Sequence, residues 1–109
     1  MRLMTDELKQ KMPKLYEQEK NPDPTVWIKL FDTLGTWTWY ATEFDGEDLF
    51  FGWIDGHELE AGYFSLLELE STCFRGIPRI ERDINFEPCP MSKLFRHRKD
   101  WSKRTATLS

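Results

Sequence analysis

The sequence predicts an α+β domain: a mostly antiparallel sheet of about five strands around a central meander, packed by an N-terminal helix and two short helices. Three observations carry this expectation. Between Trp37 and Ser65, aromatic and alternating runs are separated by Asp45-Gly46 and Asp55-Gly56, and turn dipeptides in such a setting are the strongest short-range hairpin signals. Ahead of them lies a segment with apolar residues at helical spacing. Behind them, two capped helical segments flank one more alternating run.

Taken in order, Thr5 is a good N-cap with Asp6 and Glu7 in the first turn, where the helix dipole favours negative charge. Leu8, Met12 and Leu15 recur at helical spacing, so Asp6 to Glu19 reads as an amphipathic helix that Pro13 kinks or splits. Asn21-Pro22-Asp23-Pro24 stops it in a rigid loop. Thr25 to Phe31 reads as a first strand with apolar residues on both faces. The second strand, Thr36 to Phe44, sets Trp37, Trp39, Ala41 and Glu43 on one face and Tyr40, Thr42 and Phe44 on the other. In the third, Leu49 to Ile54, Phe50, Gly52 and Ile54 join the first set, while Phe51 and Trp53 join the second. This pairing brings Trp39 near Gly52, where a large ring covers a residue without a side chain.

Glu58 to Phe64 alternates as a fourth strand, and Ser65-Leu66-Leu67-Glu68 is a capping box that opens a short helix to Thr72. Gly76 and Pro78 break the chain before a fifth strand, Arg79 to Phe86, with Ile80, Arg82, Ile84 and Phe86 on one face. Ser92 caps a last short helix to Lys99. The 109 residues thus make a single domain over residues 4–99, with 100–109 as a flexible basic tail.

Charge is unevenly spread. Ten Asp or Glu and no Lys or Arg stand between Asp32 and Thr72, whereas six Lys or Arg face a single Asp from Met91 onward. An acidic centre disfavours phosphate-backbone binding by the core and leaves only the tail for weak nucleic-acid contact. The two cysteines, Cys73 and Cys89, form neither a disulfide framework nor a metal pattern. No window approaches the ~20 apolar residues of a membrane span, and no secretory leader is seen. A reduced, cytoplasmic protein is the economical expectation.

Several runs resemble a bacterial family, domain of unknown function 2958. They are Trp37-Thr38-Trp39-Tyr40, Glu43-Phe44-Asp45-Gly46, Phe50-Phe51-Gly52, Gly62-Tyr63-Phe64-Ser65 and Glu68-Leu69-Glu70. Lys11-Met12-Pro13-Lys14-Leu15-Tyr16 and Gly76-Ile77-Pro78 agree, and together the matches cover residues 4 to 90. The resemblance implies a small cytoplasmic protein of plasmids, integrating conjugative elements and phages. It carries over no catalytic residue.

Three constellations bear on function. Glu43, Asp45, Glu47 and Asp48 surround one turn, and a two-residue turn sets Glu43 opposite Asp48. Facing carboxylates need a cation or an Arg between them. A divalent metal, a structural ion pair of Glu43 with Arg82, and plain solvated turn acids are the alternatives. Aromatic residues stand on both faces of the central hairpin, so either two small cores lie beneath the helices or one face stays partly open as a protein-binding surface. Lastly, neither His57 nor His97 sits in a metal pair, and no Ser or Cys adjoins a base.

These readings favour a non-enzymatic accessory protein with an unidentified protein partner. It would be bound through Trp37, Trp39, Tyr40, Glu43, Asp45, Asp48 and Trp53, in one form as an anti-defence factor imitating DNA charge. No catalytic residue, metal ligand or cofactor is assigned. The alternative is a divalent-metal-dependent hydrolase or nuclease built on the hairpin carboxylates and His57.

Overall fold

The computed structural model describes residues 3–96 of the chain. A five-stranded antiparallel sheet forms the middle of the molecule in the order β5-β4-β3-β2-β8. Its strands are β2 (Ile28–Asp32), β3 (Thr38–Phe44), β4 (Leu49–Asp55), β5 (Leu59–Ser65) and β8 (Ile80–Arg82). Two small ladders complete the strand set: β1 (Thr25–Val26) with β9 (Cys89–Pro90), and β6 (Cys73–Phe74) with β7 (Ile77–Pro78). Three short helices accompany them, α1 (Asp6–Lys11), α2 (Leu66–Ser71) and α3 (Met91–Leu94). The α+β class and antiparallel meander expected from the sequence are present. No helix among the described residues is long and apolar enough to cross a membrane.

The expected helix ends sooner than Glu19. Thr5 Oγ1 accepts the Leu8 N–H at 3.1 Å as the N-cap, but Met12 is already extended (φ −66°, ψ 139°). The ring of Pro13 bars the α conformation to the residue before it. Residues 15–20 then form successive turns. At the other end of the sheet Ser65 Oγ accepts the Glu68 N–H, so α2 begins where its capping signal stands.

Other expected elements are shortened for local reasons. Trp27 interrupts the first strand, its N–H donating to Ala41 O at 2.9 Å where the chain leaves the β9 ladder and enters β2. The fifth strand keeps only Ile80–Arg82 and leaves Ile84 exposed. Ser92 does not cap α3, whose N-cap is Pro90; its N–H and hydroxyl instead donate to the carboxylate of Asp23 at 2.9 and 2.6 Å. The continuation of that helix to Lys99, and the tail over 100–109, lie outside the described residues.

Each sheet face carries its own core. On the first, Leu3, Met4 and Met12 from the N-terminal segment and Leu66 and Leu69 from α2 cover Leu30, Ala41, Phe44, Phe50 and Phe64. The rings of Phe44, Phe50 and Phe64 stack in a row with centroids 4.5 and 5.3 Å apart. On the second, Val26, Phe51, Trp53 and Leu59 pack against Met91 and Phe95. Fully burying each of Phe44, Phe50 and Phe51 contributes about 1.5–3 kcal/mol.

One irregularity decides which side chains reach which core. Between Ala41 and Glu43 the β3–β4 register shifts: Ala41 faces Gly52, but Glu43 faces Phe51 and Phe44 faces Phe50. Thr42 is the extra residue of a β-bulge. Past it the alternation inverts, so Phe44 joins the face of Ala41 and Phe50 while Glu43 turns to the opposite face. The strict alternation expected for Thr36 to Phe44 fails at this point.

Gly52 sits where the two strands press closest. A Cβ there would lie 1.9 Å from Tyr40 O and 2.8 Å from Ala41 Cα. The ring-over-glycine contact expected for Trp39 and Gly52 is made instead by Trp37 and Gly56, which lie just outside the ends of β3 and β4.

Candidate functional site

The acidic hairpin tip is taken up by structural work. Its loop is four residues, closed by the Asp45 N–H donating to Leu49 O at 2.9 Å, so Glu43 and Asp48 do not face one another. Asp45 Oδ1 accepts the N–H groups of Glu47, Asp48 and Leu49 at 2.8, 2.8 and 3.0 Å. Burial opposes the Asp45 charge, yet these three donors, with Lys14 nearby, hold its carboxyl below the usual carboxylate range. Asp48 splits its carboxylate between Ser65 Oγ (2.7 Å) and the Leu67 N–H (2.7 Å), pinning the start of α2 to the hairpin. Of the tip acids, Asp45 and Glu47 are exposed and Asp48 is half-buried.

Glu43 is wholly buried. Turned inward by the bulge, its carboxylate accepts the N–H of Tyr16 at 2.7 Å and that of Gln18 at 3.0 Å. The Gln18 amide completes this node, donating to Thr42 O and Thr25 O at 2.8 Å and accepting the Thr25 N–H at 2.7 Å. Glu43 and Gln18 together fasten the loop after Pro13 alongside β3, where β2 has already diverged.

The expected Glu43–Arg82 ion pair does not form. Arg82 lies opposite Leu30, which lies opposite Trp39; Glu43 is four residues further along β3, about 13 Å by strand rise, and faces the other way. Arg82 Nε donates to Leu3 O at 2.8 Å instead, holding the N-terminal segment onto the sheet. An ion pair between distant segments is made by Arg79 and Asp32, 2.6 Å from Nη2 to Oδ2. The Arg79 guanidinium holds the Asp32 carboxyl below its ordinary value.

The aromatic candidates separate into buried and accessible sets. Trp53 is buried, edge-on to Phe51. Tyr40 is half-buried, with its ring edge-on to Phe95 at 5.0 Å. Trp39 is half-buried against the first core. Trp37 alone among the sequence candidates is an exposed ring, at 39%. Its six-membered ring lies on the backbone of Gly56, where a Cβ would come within 2.8 Å of three ring atoms.

Around Trp37 a cleft of about 260 Å³ opens beside β5, lined by Ile54, Gly56, His57, Glu58, Glu60 and Gly62 as well. His57 stands edge-on to Trp37 at 5.7 Å, and Trp39 flanks it at 6.3 Å. On the first face α2 covers the sheet near the 45–48 loop, and the opposite end of that face is half-open. Among the described residues, no strand pairs with the outer edge of β5. The acids that stay exposed here, Glu58 and Glu60, lie on the rim. Sequence reasoning named Trp37 but looked to the first Asp-Gly turn for the site; the signal was that Trp37 and Gly56 lie at equal distance from the middle of the 45–48 loop.

A hydrolytic centre from Glu43, Asp48 and His57 is ruled out by distance. Asp48 and His57 stand at opposite ends of the seven-residue strand β4, about 20 Å apart by strand rise, and Glu43 is enclosed. Among the described residues, no three of His, Cys, Asp and Glu gather in a group that could hold a metal ion. The Cys89 thiol is not activated: burial pushes it up, against a smaller opposing effect of Lys93.

The fold and the cleft thus define a small α+β domain with a half-open aromatic site at one end of its sheet. The chain belongs to the family described as Protein of unknown function (DUF2958), whose match spans residues 3–100. No curated protein and no solved structure matches it.

Proposed function

We propose that this protein is a non-enzymatic binding module that takes an extended segment of another protein into the Trp37 cleft, alongside β5. One observation carries the reading. A tryptophan 39% exposed is held rigidly on a glycine backbone over a concave, partly apolar surface next to an unpaired strand edge. Tryptophan is enriched among the residues that dominate binding energy, and a sheet edge offers main-chain hydrogen bonds to an added strand. A cytoplasmic setting on a mobile element is supported by the family resemblance alone. Anti-defence activity through imitation of DNA charge receives no support from the tip, where Glu43, Asp45 and Asp48 serve the fold.

The test is affinity capture from the native host with wild type and two separate surface variants, Trp37→Ala and Glu60→Lys. Both variants keep the wild-type circular dichroism; Glu60→Lys keeps the melting point as well, whereas Trp37→Ala lowers it because the ring packs on Gly56. Loss of the same partner from both supports the reading. Retention of every partner by two folded variants refutes it.

A further inference from the structure

We infer that the occupant of the cleft is a basic segment, with an arginine side chain laid against Trp37 and its charge answered by Glu58 and Glu60. This rests on the reading of the cleft as a protein-binding site and adds the chemistry of the partner. The first support is charge. Glu58 and Glu60 are exposed and line the cleft, and no Lys or Arg occurs anywhere between Asp32 and Thr72. An anionic partner would meet uncompensated carboxylates there, whereas a cationic one is steered in.

The second support is the ring itself. The face of Trp37 set on Gly56 is occupied and His57 and Trp39 flank the ring at 5.7 and 6.3 Å, so the exposed 39% is the indole surface these neighbours leave to a partner. The indole face is the best side-chain partner for a cation, and arginine, being planar and weakly hydrated, is the cation that stacks. This chain already holds one such pair, with Arg75 Cζ 5.2 Å from the Phe74 ring centroid. The third support is shape. Gly62 brings bare backbone to the cleft wall, and Ile54 Cδ1 is the nearest atom to a Cβ there, at 3.8 Å. A long, flat side chain therefore lies across the cleft without displacing anything.

The experiment titrates isotope-labelled full-length protein with three capped eight-residue peptides of one Gly/Ser background. One carries three arginines, one carries citrulline in their place, and one carries glutamate. The arginine peptide is expected to shift the Trp37 indole N–H and the amides of 56–62, more weakly as salt rises. Citrulline keeps the shape and removes the charge, and should bind about fivefold more weakly. Glu58→Gln with Glu60→Gln should weaken arginine-peptide binding about fivefold and leave citrulline-peptide binding unchanged. Trp37→Ala should abolish the local shifts.

Equal binding of the arginine and citrulline peptides at Trp37 overturns the inference while leaving a peptide-binding cleft. Shifts scattered over Glu47 and Glu68 rather than centred on Trp37 overturn it as diffuse charge attraction. Absence of any peptide effect also overturns it. If the partner capture survives Trp37→Ala as well, the binding reading itself falls.

Discussion

Replacing Glu43 by alanine removes the acceptor shared by the Tyr16 and Gln18 N–H groups. A backbone donor bonded to a carboxylate contributes about 1.5–3 kcal/mol, so the two together contribute about 3–6 kcal/mol. Part of this is offset, because the substitution also relieves the cost of keeping a charge at zero exposure. The net expectation is a loss of about 3 kcal/mol, a large share of the roughly 5–15 kcal/mol that holds a domain of this kind. In urea at pH 7 that moves the midpoint down by about 2 M for a slope near 1.5 kcal/mol/M. Glu43→Gln keeps one acceptor oxygen but turns an NH₂ toward the second donor, and should lose about half as much. Hydrogen exchange adds a local readout. In the alanine variant the Tyr16 and Gln18 amides should lose protection beyond the global change, while Phe50 and Phe51 follow the global change alone. An alanine variant within 0.5 kcal/mol of wild type on the chosen urea assay, with both amides still protected, would show that the loop does not depend on this carboxylate.

Further outcomes are expected at other positions. Gly52→Ala drives a Cβ to 1.9 Å from Tyr40 O in the middle of the sheet; a loss of at least about 3 kcal/mol is expected, and a near-neutral melting point would contradict the close approach. Arg75 and Gly76 turn the β6–β7 hairpin with φ of 53° and 80°, the signs of a type I′ turn. Arg75→Asn, which installs the preferred Asn-Gly pair, should stabilise by about 0.5 kcal/mol by thermal melt. Asp32 and Asp45 both have lowered native pKa values, from an ordinary 3.8. The unfolded chain therefore takes up protons first as pH falls, so their stabilisation is full above that value and is lost as pH drops through the native ones. Urea midpoints measured from pH 6 to 2.5 should fall less steeply for Asp32→Asn than for wild type, and an unchanged slope would refute the Asp32 contribution.

The meander was legible because its punctuation is local. Asp45-Gly46 and Asp55-Gly56 are contiguous signals, Gly46 takes φ 93° as such a turn requires, and the Ser65 cap lies beside the residue it bonds. The bulge at Thr42 has no comparable marker: a threonine in a β-branched, aromatic run looks like any strand residue, and only the partner strand reveals that it is supernumerary. Once missed, it put Glu43 and Phe44 on the wrong faces and made Arg82 look like a partner for Glu43. Gln18 and Arg82 were illegible for a related reason, since both satisfy backbone groups 24 and 79 residues away. The Trp37 cleft was half-legible. A large ring does cover a glycine, but it is Trp37 on Gly56, just past the end of β4, and not Trp39 on Gly52, whose Cβ position meets the backbone of Tyr40 and Ala41 instead.

The strand order β5-β4-β3-β2-β8 also sets a timetable for a chain made from its N-terminus. The pairs β2–β3, β3–β4 and β4–β5 are all hairpins of near neighbours, so most of the sheet can zip up as soon as Ser65 is available. Its second face cannot be roofed then, because Met91 and Phe95 are among the last described residues, and Thr25 waits for Pro90 to close its ladder. A nascent chain stopped short of β9 would carry a finished sheet with Phe51 and Trp53 uncovered. Until residues 89–95 follow, the meander keeps a sticky face, and truncations that spare the whole meander should still be the ones that aggregate.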